Sequence, residues 1–180
     1  MLLFIVAALC VLLLKHYKVN MLPRLYALYP LFACEAVYIF FQINAIAGNL
    51  YFVRFASYLQ TAFIAVLLLP VMLYKLYKPA VAGAALTVAG TLLNKLCIAA
   101  NGGHMPVYPT LSRLTGYFRP ETLGGTVDSL HILMTAQTKL NFLADYIDIG
   151  WSILSVGDIL IHSFCAVIVY YSVKAAQRQG

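Results

Sequence analysis

The chain has 180 residues, of which 63% are hydrophobic and only 10% charged, too few solvating side chains to cover a water-soluble globule. Its formal net charge of +6 is spread as single Lys and Arg residues between apolar runs. No basic face is built for nucleic acid, and the lipid bilayer is the expected partner. The four cysteines, Cys10, Cys34, Cys97 and Cys165, all lie in apolar stretches, where a thiol packs as a small hydrophobe rather than joining a disulfide framework.

In chain order, the first apolar run is Met1 to Leu14. As a helix it is about 21 Å long, so it crosses a bilayer only if it continues through Tyr17, Val19 and Leu22, with Lys15 and Lys18 snorkelling. The basic residues follow the apolar stretch instead of preceding it, the reverse of a signal peptide. A second helix is predicted over Tyr26–Ile46 and a third over Tyr51–Tyr74, where Pro70 is a candidate kink. A fourth covers Pro79–Ala100 and a fifth Trp151–Val173, leaving 101–150 as one long loop.

The predicted fold is thus an all-α membrane protein, a bundle of about five transmembrane helices in a single integral domain over 1–180. Lys15, Lys18 and Arg24 fall in the first connection, Lys75 and Lys78 in the third, and Lys174 and Arg178 in the tail. Positive residues mark the cytoplasmic side, which puts the N-terminus outside, the tail in the cytoplasm and the 101–150 loop at the extracytoplasmic face. That loop holds Leu130, Ile132, Leu133, Leu140, Phe142, Leu143 and Ile147, too many for a solvated linker. Partial order on or in the membrane interface is expected.

Polar groups inside the predicted helices need a reason to persist. On the fifth, Trp151, Ser155, Asp158, His162 and Cys165 recur at helical spacing and define one stripe. Either Asp158 and His162 are locally paired structural groups, or they form a proton relay, ligand site or metal site. On the fourth, Gly83, Thr87, Gly90 and Asn94 share a face whose small residues suit close helix packing. Lys95 lies at a depth that matches Asp158, a candidate ion pair. Glu35 sits near the middle of the second helix, with Tyr38 and Gln42 on its face and Arg54 as a candidate counter-ion.

Asn101-Gly102-Gly103-His104-Met105-Pro106 ends the fourth helix in the manner of a glycine cap followed by a proline stop. The paired glycines also suit an anion nest. His104 and His131 are loop histidines with Asp128, Asp145 and Asp148 as possible companions, but no HxxxH or HExxH spacing holds two metal ligands on one turn, so no metal is assigned. A Gly-x-Ser-x-Gly nucleophile elbow and the phosphate-binding glycine fingerprints are absent from the sequence. No cofactor is indicated.

The second half carries an ordered set of segments: Leu93-Asn94, Ile98 to Val107, His131, Thr138 to Asp145, and Ser155 to Ile161. Together they resemble a bacterial family of small multi-pass membrane proteins, number 5317 in the domain-of-unknown-function series. The resemblance covers roughly residues 86 to 165. It implies that Asn94, Asn101, Gly102, Gly103, Met105, Pro106, His131, Thr138, Leu140, Asp145, Ser155, Gly157 and Asp158 stand at the family's motif positions, while Asn141 and Ala144 replace residues that are often proline and glycine there. It supplies no activity.

These positions fall at the outer end of the fourth helix, in the loop and at the start of the fifth. They predict one outward-facing ligand-binding site of Asn94, Asn101, Gly102, Gly103, His131, Thr138, Asp145 and Asp158. The expected function is a non-enzymatic accessory subunit or small-ligand binding component, with another membrane protein as a candidate partner. Its alternatives are a transporter or channel element with a Glu35, Lys95, Asp158 and His162 path, and an interfacial hydrolase or transferase using His131, Asp145 and Asp158 as acid or base.

Overall fold

A computed structural model describes residues 1–15, 22–120, 123 and 129–178. The chain is mostly helical, in the order α1 (Leu2–Leu14), α2 (Tyr29–Ile46), α3 (Ala56–Leu73), α4 (Tyr77–Ala100), β1 (Met105–Val107), α5 (Leu111–Thr115), β2 (His131–Leu133), β3 (Ile147–Asp148), β4 (Ile153–Leu154) and α6 (Val156–Arg178). Among the described residues, short 3-10 helices stand at Leu22–Leu28, Leu50–Phe55 and Asn141–Leu143. Among the described residues, three helical stretches, Leu25–Ile46, Tyr77–Ala100 and Val156–Gln177, are long and apolar enough to cross a membrane; Leu2–Leu14 and Tyr58–Leu73 are shorter and apolar.

Three expected helix starts move. The second and third predicted helices each open as a 3-10 turn before α2 and α3. The last begins at Val156, five residues later than Trp151, because Ser155 caps it as described below. At the other boundary in doubt, α1 stops at Leu14; Tyr17, Lys18 and Val19 lie outside the described residues, as do Glu121 and Asp128. Short strands inside the 101–155 segment add β structure that an all-α reading omits.

The chain divides into two compact units. The first comprises Met1–Tyr38, Ser57–Thr87 and His162–Gly180. Its core joins Ile5 and Leu12 of α1 to Leu28 and Leu31, Leu67 and Val71 of α3, and Ile168, Val169 and Val173 of α6. Lys15 directs its ammonium to the Tyr170 hydroxyl at 3.3 Å, over the Tyr170 ring, so its aliphatic stem stays apolar and its charge is held by an aromatic. Pro70 is accommodated inside α3, which continues to Leu73. Lys75 then takes a left-handed turn (φ 54) while the Leu76 amide donates to Val71 O at 2.9 Å, a terminal hydrogen bond that reverses the chain directly into α4.

The second unit comprises Ile39–Ala56 and Val88–Ile161. β1 pairs in parallel with β2, Met105 opposite His131 and Val107 opposite Leu133, and Val107 also bridges Asp145. β3 and β4 form a small antiparallel hairpin across a turn in which Gly150 has φ +89. Cys97, Met105, Leu143 and Ala144 make a separate buried cluster, which packs the 101–155 segment onto the last turns of α4. The segment is therefore ordered by a hydrophobic core of its own.

Candidate functional site

One face of α4 organises the second unit. Gly90, Asn94, Cys97 and Asn101 recur at steps of four, three and four, so they lie in line along the helix and over its end, and each meets a different part of the chain.

At Gly90 the backbones of α4 and α6 touch. A Cβ on Gly90 would collide with the Gly157 carbonyl, and one on Gly157 would lie 2.6 Å from the Gly90 carbonyl and collide with the Asn94 amide. In the first unit a Cβ on Gly83 would likewise strike the Phe164 ring. The small-residue face predicted for close packing is used for that purpose.

One turn on, Asn94 Nδ2 donates to Asp158 Oδ1 at 2.9 Å and Asn94 Oδ1 accepts from the Ser155 hydroxyl at 2.9 Å. Ser155 and Asp158 complete a reciprocal cap of α6. The Asp158 amide donates to Ser155 Oγ at 2.9 Å, and the Ser155 amide donates to Asp158 Oδ2 at 3.0 Å. Ser-x-x-Asp here performs the exchange of a capping box, which satisfies helix-start amides that have no partner within the helix. The carboxylate also stands at the positive end of the helix dipole. Lys95 is not its partner: one residue beyond Asn94 and about 100° around the helix, it is exposed. Trp151 precedes the cap, so the predicted five-residue stripe begins at Ser155.

The Cys97 thiol is buried and donates toward Leu140 O at 3.7 Å. Asn101 then latches the loop: its Nδ2 donates to Cys97 O at 2.9 Å and Lys139 O at 2.8 Å, and its Oδ1 accepts from the Lys139 amide at 2.8 Å. Gly102 (φ +66) and Gly103 (φ +93) turn the chain off the helix, with the Gly103 amide bonded to Ile98 O at 2.9 Å. That is the predicted glycine cap. Thr138 stabilises the neighbouring turn, its hydroxyl 2.8 Å from both Thr135 O and Asn141 Oδ1.

His131 and Asp145 meet through β1: β2 lies along one side of it and Asp145 bridges the other. Nε2 of His131 is 3.2 Å from Asp145 Oδ2, with the imidazole 32% and the carboxylate 7% exposed. Among the described residues, no three His, Cys, Asp or Glu side chains gather as a metal-ligand group.

The predicted site residues with polar side chains thus fall into four groups within one unit: Asn94 with Ser155 and Asp158, Asn101 with Lys139, Thr138 with Thr135 and Asn141, and His131 with Asp145. Sequence reasoning named Asp148 only as a possible companion of the loop histidines and missed its role as a clamp on α5. Its Oδ2 accepts from the amides of Thr110 (2.6 Å) and Ser112 (2.9 Å) and from the Ser112 hydroxyl (2.7 Å), and its Oδ1 accepts from the Gly150 amide (2.8 Å). Partial burial alone would raise its pKa, but the bonds from Ser112, Gly150 and Thr110 outweigh that and hold it below the ordinary carboxylate value. Its Thr110 and Ser112 donors lie more than thirty residues away in the chain, and the bond from Gly150 is the one local contact, an Asx-type turn.

The model of a family of unknown function, DUF5317, matches residues 19–170. The chain belongs to this family. No curated protein and no solved structure matches it. Within DUF5317, the positions recognised in the sequence have distinct structural tasks in this chain: Asn94, Ser155, Gly157 and Asp158 dock α6 on α4, Asn101 to Gly103 end α4 and hold the loop, and His131 and Asp145 face one another across β1.

The remaining polar candidates belong to the first unit or to the 47–56 connection. Glu35 is 4% exposed, with the Leu2 backbone amide beside it and no well-formed hydrogen bond to either carboxyl oxygen. Arg54 lies over the rings of Tyr51 and Phe55, at 3.7 and 4.8 Å from their centroids. His162 packs on Phe4 with 5.4 Å between rings.

Proposed function

We propose that the chain is a five-span integral membrane protein, N-terminus outside and tail in the cytoplasm, which acts as a non-enzymatic accessory subunit or small-ligand binding component through its 101–155 segment. Among the described residues, three helices have the length and apolarity to cross a bilayer. Spanning by α1 and α3, which are shorter, requires local thinning or snorkelling at their ends, and the held ammonium of Lys15 suits that role.

The observation that carries the functional reading is where the polar motif groups are spent. Asn101, Thr138, Ser155 and Asp158 make internal bonds that fix backbone, and Asn94 holds the Ser155 and Asp158 side chains. A catalytic set must instead direct acid and base groups at a substrate. The bonded groups support a rigid surface, on which the half-exposed His131 ring, oriented by buried Asp145, is the polar group suited to contact a ligand or partner. Co-purification from native membranes tests this. A partner or ligand retained by the parent and lost from His131→Ala is expected, and recovery of the chain alone from the parent overturns the reading.

A transporter or channel element is a second reading, favoured by Glu35, a buried carboxyl in a long apolar helix without a well-formed hydrogen bond. Proteoliposome flux unchanged in Glu35→Gln rules against it.

A further inference from the structure

The 101–155 segment turns large apolar side chains outward: Leu114 is 85% exposed, and Tyr108, Leu111 and Trp151 are 54, 51 and 43% exposed. They are held close together. Asp148 fastens the start of α5 through Thr110 and Ser112, the Thr115 hydroxyl donates to Gly150 O, and a Cβ on Gly150 would lie 3.3 Å from Thr115 and 3.8 Å from Leu111. Trp151 therefore leaves a turn that is stapled to α5.

The same patch is fixed at the level of helix ends. Arg119 donates to Gly116 O just beyond α5 and to Ile46 O at the end of α2, at 3.3 and 3.4 Å. On the other side, α6 starts five residues after Trp151. Where long apolar helices end, hydrocarbon gives way to headgroups, and Trp and Tyr concentrate there. Charge agrees with that environment. Among the described residues of 101–155, the exposed charged side chains are Arg113 and Lys139, both cationic, while Asp145 faces His131 and Asp148 is taken up by α5.

We propose that α5 and Trp151 form an interfacial anchor: Leu111, Leu114 and Trp151 insert at the boundary of the acyl chains, and Arg113 lies among anionic phospholipid headgroups. The anchor fixes the loop surface against the leaflet from which α2 and α6 emerge, and it rests on the reading that those helices span the bilayer.

Trp151 is the single tryptophan of the chain, so its fluorescence reports the anchor directly. The full chain is reconstituted into phosphatidylcholine–phosphatidylglycerol vesicles whose acyl chains are brominated either near the headgroup or near the terminal methyl, and excited where tyrosine does not absorb. Stronger quenching by the shallow bromine than by the deep one is expected, with little quenching by aqueous acrylamide. Leu114→Asp should weaken the shallow quenching on the order of twofold, because a charge is expelled from that depth. Quenching by acrylamide alone, stronger quenching by the deep bromine, or shielding from both as under a partner protein each overturns the anchor, as does an unchanged signal in Leu114→Asp. Alkaline carbonate extraction of the same vesicles separates the two readings: a chain that is extracted refutes spanning, and one that resists extraction while showing any of those signals refutes only the anchor.

Discussion

Asn94 and Asp158, sixty-four positions apart, share a 2.9 Å hydrogen bond that ties α4 to the first turn of α6. Asn94 donates to the carboxylate with its amide nitrogen and accepts from Ser155 with its oxygen. The arrangement works in one polarity and also in its exchange. Asp158→Asn alone can accept from the Ser155 amide only by turning an NH2 group toward the Asn94 NH2, which should cost about 1 to 3 kcal/mol for the unmet donors. In the double variant Asn94→Asp, Asp158→Asn, every donor again finds an acceptor. Thermal unfolding in detergent should therefore show a loss in each single variant and recovery in the exchange, a coupling that a double-mutant cycle measures. Lys95→Met should rescue neither; rescue would mean that an ion pair holds Asp158.

That failure of the ion-pair expectation shows what the sequence makes legible. Hydropathy located the long apolar helices, since each needs a continuous apolar run, and helical spacing identified the Gly90 face because close packing demands small residues at fixed steps. Depth along a helix does not fix direction around it, so Lys95 and Asp158 matched in depth and diverged in azimuth. Trp151 to Leu154 is apolar enough to read as helix. Ser155 with Asp158 three residues on was the available start signal, a capping box that places the helix N-terminus after Leu154. The β1–β2 pairing joins residues more than twenty positions apart and has no local signature, so the His131–Asp145 contact was foreseen only as membership of one polar site. Asp148, read only as a possible companion of the loop histidines, holds Thr110 and Ser112 instead, a long-range contact with no local signature.

Two kinds of glycine should respond differently to substitution. Gly90 and Gly157 are required by space: Gly90→Leu and Gly157→Ala drive side-chain atoms into the facing backbone, an overpacking cost of about 1 to 3 kcal/mol. Gly102 is required by conformation, since its Cβ would meet nothing within 4 Å while its φ is +66. Gly102→Ala should cost about 1 to 2 kcal/mol, and Gly102→Asn, which tolerates the left-handed region, should recover part of it. At position 157 asparagine should be worse than alanine. A Gly102→Asn protein less stable than Gly102→Ala contradicts this assignment.

Asp148 predicts an acid-sensitive loop. Its folded pKa lies below its ordinary value of 3.8, so its bonds stabilise fully above that value and are lost as pH falls through the folded pKa. Protease nicking near α5 should rise over that acid range in the parent. Asp148→Asn should nick more readily at neutral pH and lose the acid-dependent increment, a difference of about 1 kcal/mol after solvent screening. The same acid dependence in both proteins assigns the effect to another group.

The orientation is read by cysteine labelling in a cysteine-free background. Gln137→Cys, exposed in the turn before Thr138, should react with an impermeant maleimide on intact cells, and Lys78→Cys, at the start of α4, only after permeabilisation. The opposite pattern reverses the topology and moves the loop surface to the cytoplasm.

Glu35 separates the structural from the transporting reading of the first unit. The Met1 ammonium lies within electrostatic reach of its carboxyl and the Leu2 amide beside it, yet neither oxygen makes a hydrogen bond of good geometry, so burial of this group is only partly compensated. Breaking a well-made buried ion pair commonly costs about 3 to 5 kcal/mol, whereas replacing a poorly compensated carboxyl by a neutral isostere should be neutral or stabilising. Glu35→Gln is therefore expected to unfold at or above the parent temperature, and Glu35→Leu to behave similarly. A loss of several kcal/mol in both would assign Glu35 a structural partner and remove the observation that favours transport. With stability retained, proteoliposome flux becomes decisive: ion flux present in the parent and abolished in Glu35→Gln identifies a carboxyl kept for function at the expense of stability, and flux absent from both leaves the accessory role of the loop as the function to pursue.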